Sequence, residues 1–94
     1  PRPVEEALAA LPGVSDAAVV GVPDDEFGQR LAAYVVLRHG ARMHAEDVRH
    51  YIHQKLARFA VPRDVYFVPE LPRNATGKIV KRLLNDDLWP ITQG

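Results

Sequence analysis

Pro72-Arg73-Asn74-Ala75-Thr76-Gly77-Lys78-Ile79-Val80-Lys81-Arg82 sets a proline and a glycine on either side of turn-forming residues, directly ahead of a lysine. Pro72 stiffens the start of the segment, Asn74 and Thr76 favour turns, and Gly77 frees the backbone just before Lys78. Such a loop can carry one long ammonium side chain well beyond a domain surface. A lysine is a compact point charge on a flexible stem, suited to reaching into a cleft rather than to bidentate docking. From Leu71 to Leu84 the chain holds Arg73, Lys78, Lys81 and Arg82 and no acid. Local positive charge of this kind suits a phosphate-bearing ligand better than a long polyanion. A Gly-Lys pair taken alone is more often a solvated surface lysine beside a helix start. A phosphate-binding P-loop fails on spacing, because Pro72 stands where the first glycine belongs and Ile79 replaces the Ser or Thr that would hold Mg²⁺.

The pattern on either side of this loop reads as a small α+β domain. Pro3 suits the first turn of a helix, with Glu5 and Glu6 near its positive end and Val4, Leu8 and Leu11 along one face. Pro12-Gly13 stops that helix. Val14 to Val22, rich in valine and alanine with no charge after Asp16, predicts a strand buried on both faces. Pro23-Asp24-Asp25 predicts a turn, and Gly28 a backbone necessity ahead of a second strand, Leu31 to Leu37. The short connection predicts antiparallel pairing. Ala45 to Arg58 has helical spacing, with Val48, Ile52 and Leu56 on one face and Tyr51 and Phe59 beside it. Glu46 and Asp47 in its first turn, and Lys55 and Arg58 in its last, suit the helix dipole. Val65 to Val68 predicts a third strand, the basic loop follows, and Ile79, Val80, Leu83, Leu84 and Leu88 suggest a last helix. A three-stranded sheet packed with helices is the economical arrangement.

Ninety-four residues suit one domain with one modest core, not a deep private active site. A formal net charge of zero argues against a protein that finds nucleic acid by bulk electrostatics. With no cysteine, disulfides, thiolate metal sites and thiol nucleophiles are excluded. No apolar run approaches the roughly 20 residues needed to cross a bilayer. The amino end lacks an apolar signal core, so a cytoplasmic location is the expectation. The chain starts without methionine and enters a helical pattern at once, as a piece of something longer would.

Leu71 to Arg82, with its Pro, Thr, Gly-Lys and following basic residues, resembles the C-terminal signature of the adenylate-forming superfamily. That superfamily comprises acyl-CoA synthetases, peptide-synthetase adenylation domains and luciferases. Two further blocks carry the likeness: Val14 to Asp24 is similar to its first core strand and turn, and Phe27-Gly28-Gln29 through Leu37 to the segment that follows. The resemblance runs from Pro1 to about Leu84 and is closest to fatty-acid-CoA ligases. It implies that residues 1–94 form the mobile C-terminal lid of a longer enzyme, whose large N-terminal domain and hinge lie outside this sequence. It implies Lys78 as the catalytic lysine, placed by Pro72, Thr76 and Gly77. It implies that a carboxylate, from a fatty or related acid, attacks ATP with Mg²⁺ assisting, and that coenzyme A then displaces AMP. It implies that the lid rotates between the steps, first delivering the lysine and then shaping the thiol tunnel. Most of the contacts to ATP and coenzyme A would fall to the N-terminal domain, with peripheral membrane association open for the whole enzyme. A peptide-synthetase adenylation subdomain and a non-catalytic α+β binding module are the competing readings.

Where that family often has Tyr-Lys-x-Pro near the coenzyme A nucleotide, this chain has Phe59-Ala60-Val61-Pro62-Arg63. Ala60 removes a possible phosphate contact. Arg63 could substitute for it or could be a solvated rim residue, and Lys81 and Arg82 could steer phosphates or stay in water. His50 and His53 stand at helical spacing, but two imidazoles without a third ligand point to surface histidines rather than a metal site. Leu88 and Trp89 could pack the last helix or face the rest of the enzyme. Asn74-Ala75-Thr76 matches a glycosylation sequon without a secretion signal to give it meaning.

Overall fold

The computed structural model describes residues 2–26, 28–56, 60–84 and 92–93. The first helix, α1 (Arg2–Ala10), carries Pro3 in its first turn and buries Val4 and Leu8 one turn apart. It stops where expected. Leu11 donates its N–H to Leu8 O at 3.1 Å, and Gly13 takes φ +95°, a left-handed backbone open to glycine at little cost.

Strands β1 (Val14–Asp24) and β2 (Gly28–Leu37) form an antiparallel hairpin with pairing from Val14–Leu37 to Asp24–Gly28 and an irregularity between Val14 and Asp16. The turn anticipated at Pro23-Asp24-Asp25 is displaced, because Pro23 and Asp24 still pair, with Gln29 and Gly28. Pro23 is tolerated there because β1 is an edge strand, with no strand among the described residues on its outer side to need the missing N–H. Gly28 has φ +80°, consistent with a backbone requirement at the hairpin's return.

A helix, α2 (Ala45–Lys55), then crosses to β3 (Asp64–Phe67), which runs parallel to β2 with pairing from Ala32–Asp64 to Val35–Phe67. Asp47 accepts the N–H of His44 at 2.8 Å, satisfying a donor at the helix start. The helix is shorter than its apolar spacing suggested. Leu56 donates to Ile52 O at 2.8 Å and turns extended, with φ −130° and ψ −177°, while Arg58 and Phe59 lie outside the described residues. A two-residue strand, β4 (Thr92–Gln93), pairs antiparallel with β3 and was not anticipated. The three expected strands are present, and the sheet order is β1-β2-β3-β4.

Alternation along the strands gives the sheet two apolar faces. Val19, Ala33, Val35 and Val65 meet Val4 and Leu8 of α1 and Val48 and Ile52 of α2 on one face. Ala18, Ala32, Tyr34 and Val68 meet Leu71 and Leu84 on the other, with Ile79 packed beside them. The second face is therefore covered by the roots of the basic loop. Burial of β1 on both faces holds only at its centre, at Ala18 and Val19. Ser15, Gly21 and Pro23 are exposed, as the ends of an edge strand outrun the layers packed on it.

The last helix is a correction. Lys81–Leu83 makes a single 3₁₀ turn, and Ile79 instead bridges to Arg73 while Val80 donates its N–H to Pro72 O at 2.8 Å. The bridge holds Ile79 extended and Val80 stands at φ −92° and ψ 87°, outside helical backbone, so no α-helix starts at these two residues. Leu88 and Trp89 lie outside the described residues. Among the described residues no helix is long and apolar enough to cross a membrane.

One carboxylate ties these layers together. Glu5 Oε2 accepts the N–H of Val19 at 2.7 Å and stands 2.8 Å from Lys81 Nζ, linking α1, the edge strand and the end of the loop. Glu5→Ala is expected to lower unfolding free energy by about 1–3 kcal/mol, since it leaves the N–H of the buried Val19 unpaired. Glu5→Gln keeps an acceptor for Val19 and should recover most of that loss. Denaturant titration of the two variants measures the difference.

Candidate functional site

The loop that bears Lys78 is rooted in apolar packing and held at its tip by polar bonds. At the root, Leu71 and Pro72 are buried on one side and Leu84 on the other, with Ile79 half-buried between them. At the tip, residues 73–78 are exposed. Asn74 donates its backbone N–H to Lys78 O at 2.9 Å, and Gly77 donates to Asn74 O at 3.0 Å. The Asn74 side-chain oxygen accepts the Thr76 N–H at 3.0 Å, the Thr76 hydroxyl at 2.7 Å and the Lys78 N–H at 3.0 Å. Both backbone polar groups of Lys78 are thus fixed. Gly77, at φ +87° with open space where a Cβ would stand, permits the return bend without a clash.

Arg73 orients the whole loop on the sheet. One guanidinium nitrogen donates to Gly77 O at 2.6 Å, and another pairs with Asp16 near the start of β1. The pair is partly exposed, so its contribution to stability is small, about 0–1 kcal/mol. Its geometric effect is to anchor the loop tip to an edge strand 57 residues earlier in the chain. The Lys78 ammonium itself makes no ion pair among the described residues and stands exposed. A cation that is held at its backbone and free at its tip can be offered to an anion on another surface.

Pro72, Thr76, Gly77 and Lys78 therefore come together in one tight turn. The other sequence candidates do not join them. Lys81 is turned onto Glu5, and Arg82 is exposed on the 3₁₀ turn beyond the loop. Arg63 is exposed just before β3 and donates its N–H to Leu31 O at 3.0 Å. Asp16, which holds the Lys78 loop, lies opposite Val36 at the far end of β2. The two positions are separated by about 17 Å at the ordinary rise of a strand. Ala60, Val61 and Pro62 precede Arg63 at that opposite end, while Phe59 lies outside the described residues.

His50 and His53 line an open groove on α2 with Glu46, Arg49 and Val61. Glu46 is engaged by Arg49 at 2.9 Å, and among the described residues no three His, Cys, Asp or Glu side chains gather as a metal-ligand set. The partnership of Arg73 with Asp16 escaped sequence reasoning, as did that of Glu5 with Val19 and Lys81. No local pattern reports a contact between residues so far apart in the chain. The organising part played by Asn74 did have a local signal: an Asn two residues ahead of Thr76 is the spacing at which a side chain bonds its own backbone.

Residues 3–78 match the family described as AMP-binding enzyme C-terminal domain, a match that ends on Lys78. The chain belongs to that family. Among curated relatives it is 46% identical over 87 residues to a 3-[(3aS,4S,7aS)-7a-methyl-1,5-dioxo-octahydro-1H-inden-4-yl]propanoyl:CoA ligase of Rhodococcus jostii, covering 93% of this chain and 17% of that protein. It is 48% identical over 86 residues to an acetyl-coenzyme A synthetase of Mycobacterium tuberculosis, covering 88% of this chain and 13% of the synthetase. The fold superimposes on the crystal structure of a Brucella canis acyl-CoA synthetase with a TM-score of 0.85 and 40% identity, over 90% of this chain and 16% of that one. The chain thus spans under a fifth of the length of the relatives it matches.

Proposed function

We propose that this domain is the lid of an AMP-forming acyl-CoA ligase and that Lys78 supplies its adenylation lysine. One observation carries the reading: an exposed ammonium rises from a loop whose roots are buried and whose backbone is pinned on both sides of the lysine. In the first step a carboxylate oxygen attacks the α-phosphorus of ATP, the bond to the bridging oxygen of pyrophosphate breaks, and pyrophosphate leaves. Negative charge grows on the α-phosphate oxygens as two anions meet. Lys78 stabilises that charge from a position set before the reaction, where a single such donor is worth about 3 kcal/mol. In the second step the sulfur of coenzyme A attacks the acyl carbonyl and AMP departs. The lid must leave its first position for this, and closing over the acyl-adenylate shields it from water meanwhile.

Most contacts to ATP and coenzyme A, and those to the magnesium that travels with ATP, fall to the remainder of such an enzyme. Arg63 and the Lys78 loop sit at opposite ends of the sheet, which suits a lid that presents different ends to one cleft in successive steps. Arg63 is our candidate for the coenzyme A phosphates. For the acid we propose a fatty or related organic acid, on the likeness of the Pro72–Leu84 segment to fatty-acid ligases. The test supplies a full-length enzyme bearing this lid with ATP, coenzyme A and a panel of acids. We expect AMP and thioester with fatty acids. Turnover of acetate or malonate without fatty acids overturns the choice of acid, and no carboxylate-dependent release of AMP overturns the ligase reading.

A further inference from the structure

The loop around Lys78 is short, exposed and without apolar packing at its tip, so something other than burial must hold its shape. Arg73 holds Gly77 O, and the remaining bonds at that tip converge on Asn74. Asn74 touches both backbone polar groups of Lys78, one through its side-chain oxygen at 3.0 Å and one through its own N–H at 2.9 Å. The same oxygen takes the N–H and the hydroxyl of Thr76 at 3.0 and 2.7 Å. Backbone N–H groups can only donate, so the Asn74 atom that meets them must be the carbonyl oxygen, whichever way the amide is drawn. Three donors on one oxygen use its accepting capacity in full. Remove that oxygen, and both the Thr76 and Lys78 amides turn to water, leaving the Lys78 side of the tip held only by the Asn74 N–H on Lys78 O and by Arg73 on Gly77 O.

We propose that the Asn74 carboxamide is a positioning residue for Lys78, holding the loop in the shape that delivers the ammonium to the reacting phosphate. It acts through the backbone of Lys78 and touches no substrate. The inference rests on Lys78 acting in adenylation. Because all three contacts call for an acceptor and none for a donor, aspartate at this position should serve and alanine should not. A misplacement of about 1 Å at a reacting centre can cost on the order of 100-fold in rate.

The experiment uses a full-length enzyme bearing this lid and follows pyrophosphate release, thioester formation from supplied acyl-adenylate, and exchange of the Lys78 amide proton. Asn74→Ala is expected to lower kcat for pyrophosphate release about 10–100-fold with little change in KM for ATP. It should leave thioester formation intact and speed exchange at Lys78. Asn74→Asp should restore kcat to within a few-fold and slow the exchange again. That rescue separates positioning from a merely structural role. A full-rate Asn74→Ala, or an Asn74→Asp as poor as alanine, overturns the proposal while a damaging Lys78→Ala leaves the lysine's own role standing. A neutral Lys78→Ala overturns both.

Discussion

Lys78→Ala is expected to reduce pyrophosphate release in a full-length enzyme bearing this lid by about 10²–10³-fold, the usual effect of deleting one preorganised donor at a developing anion. Thioester formation from supplied acyl-adenylate should continue near the parent rate, because the charge that Lys78 opposes exists only while the α-phosphate is under attack. The change should hardly touch folding. The side chain is exposed and forms no ion pair among the described residues, and surface substitutions of that kind stay within about 0.5 kcal/mol. Lys78→Arg is not a neutral control. A planar guanidinium is bulkier and more weakly hydrated than an ammonium, and should recover only part of the rate. Separate assays of the two half-reactions decide the matter, and equal loss in both would contradict the role assigned to Lys78.

Ile52→Ala should produce the largest loss of stability, about 2–5 kcal/mol, without altering the chemistry of any folded molecule. Ile52 is fully buried and packs α2 onto the sheet face that holds Val19, Val35 and Val65, in one cluster with Leu8 of α1 and Val48 of α2. Truncation removes transfer free energy and leaves a cavity that flanking β-branched side chains cannot easily fill. Against a typical domain stability of about 5–15 kcal/mol, such a loss is a large fraction. Ile52→Val, which removes a single methylene, should cost only about 0.5–1.5 kcal/mol. Denaturant titration gives both values from the shift in midpoint at constant slope. A cost near zero for the alanine variant would mean that α2 is not seated on the sheet through this residue.

These two variants divide the protein along a line visible in its structure. Packing belongs to side chains that alternate or recur at helical spacing, whereas the proposed chemistry belongs to a loop tip that contributes little to the core. The loop is nevertheless part of the fold through its roots. Leu71, Ile79 and Leu84 cover the second face of the sheet, so displacing them would both expose Tyr34 and Val68 and unseat Lys78.

Much of this was legible from local pattern. The apolar face of α1, its stop at Pro12-Gly13, the hairpin of β1 and β2, the apolar stripe of α2 and the third strand all follow from spacing and turn chemistry within a few residues. Lys78 stood out as a candidate for another reason: proline, glycine and lysine at those intervals in one short segment match a family pattern. Where the reading failed, a distant partner had intervened. Val80 and Ile79 looked helical in sequence, but Pro72 and Arg73 claim them across the loop. Pro23 looked like a turn, but an edge position lets it pair with Gln29. The ion pair of Lys81 with Glu5, brought alongside by the packing of α1, was likewise invisible to local pattern.

Backbone propensity and hydrophobic period are properties of neighbours in the chain, and they settled which segments become helices, strands and the lysine-bearing turn. The parallel seat of β3 beside β2, the short β4 and the clamp of Arg73 on Asp16 depend on residues tens of positions apart. Closing such contacts requires ordering the intervening chain, whose entropic cost only the assembled core repays. For that reason the aim of the Lys78 loop, unlike its presence, became visible only once the sheet and its covering layers were in place.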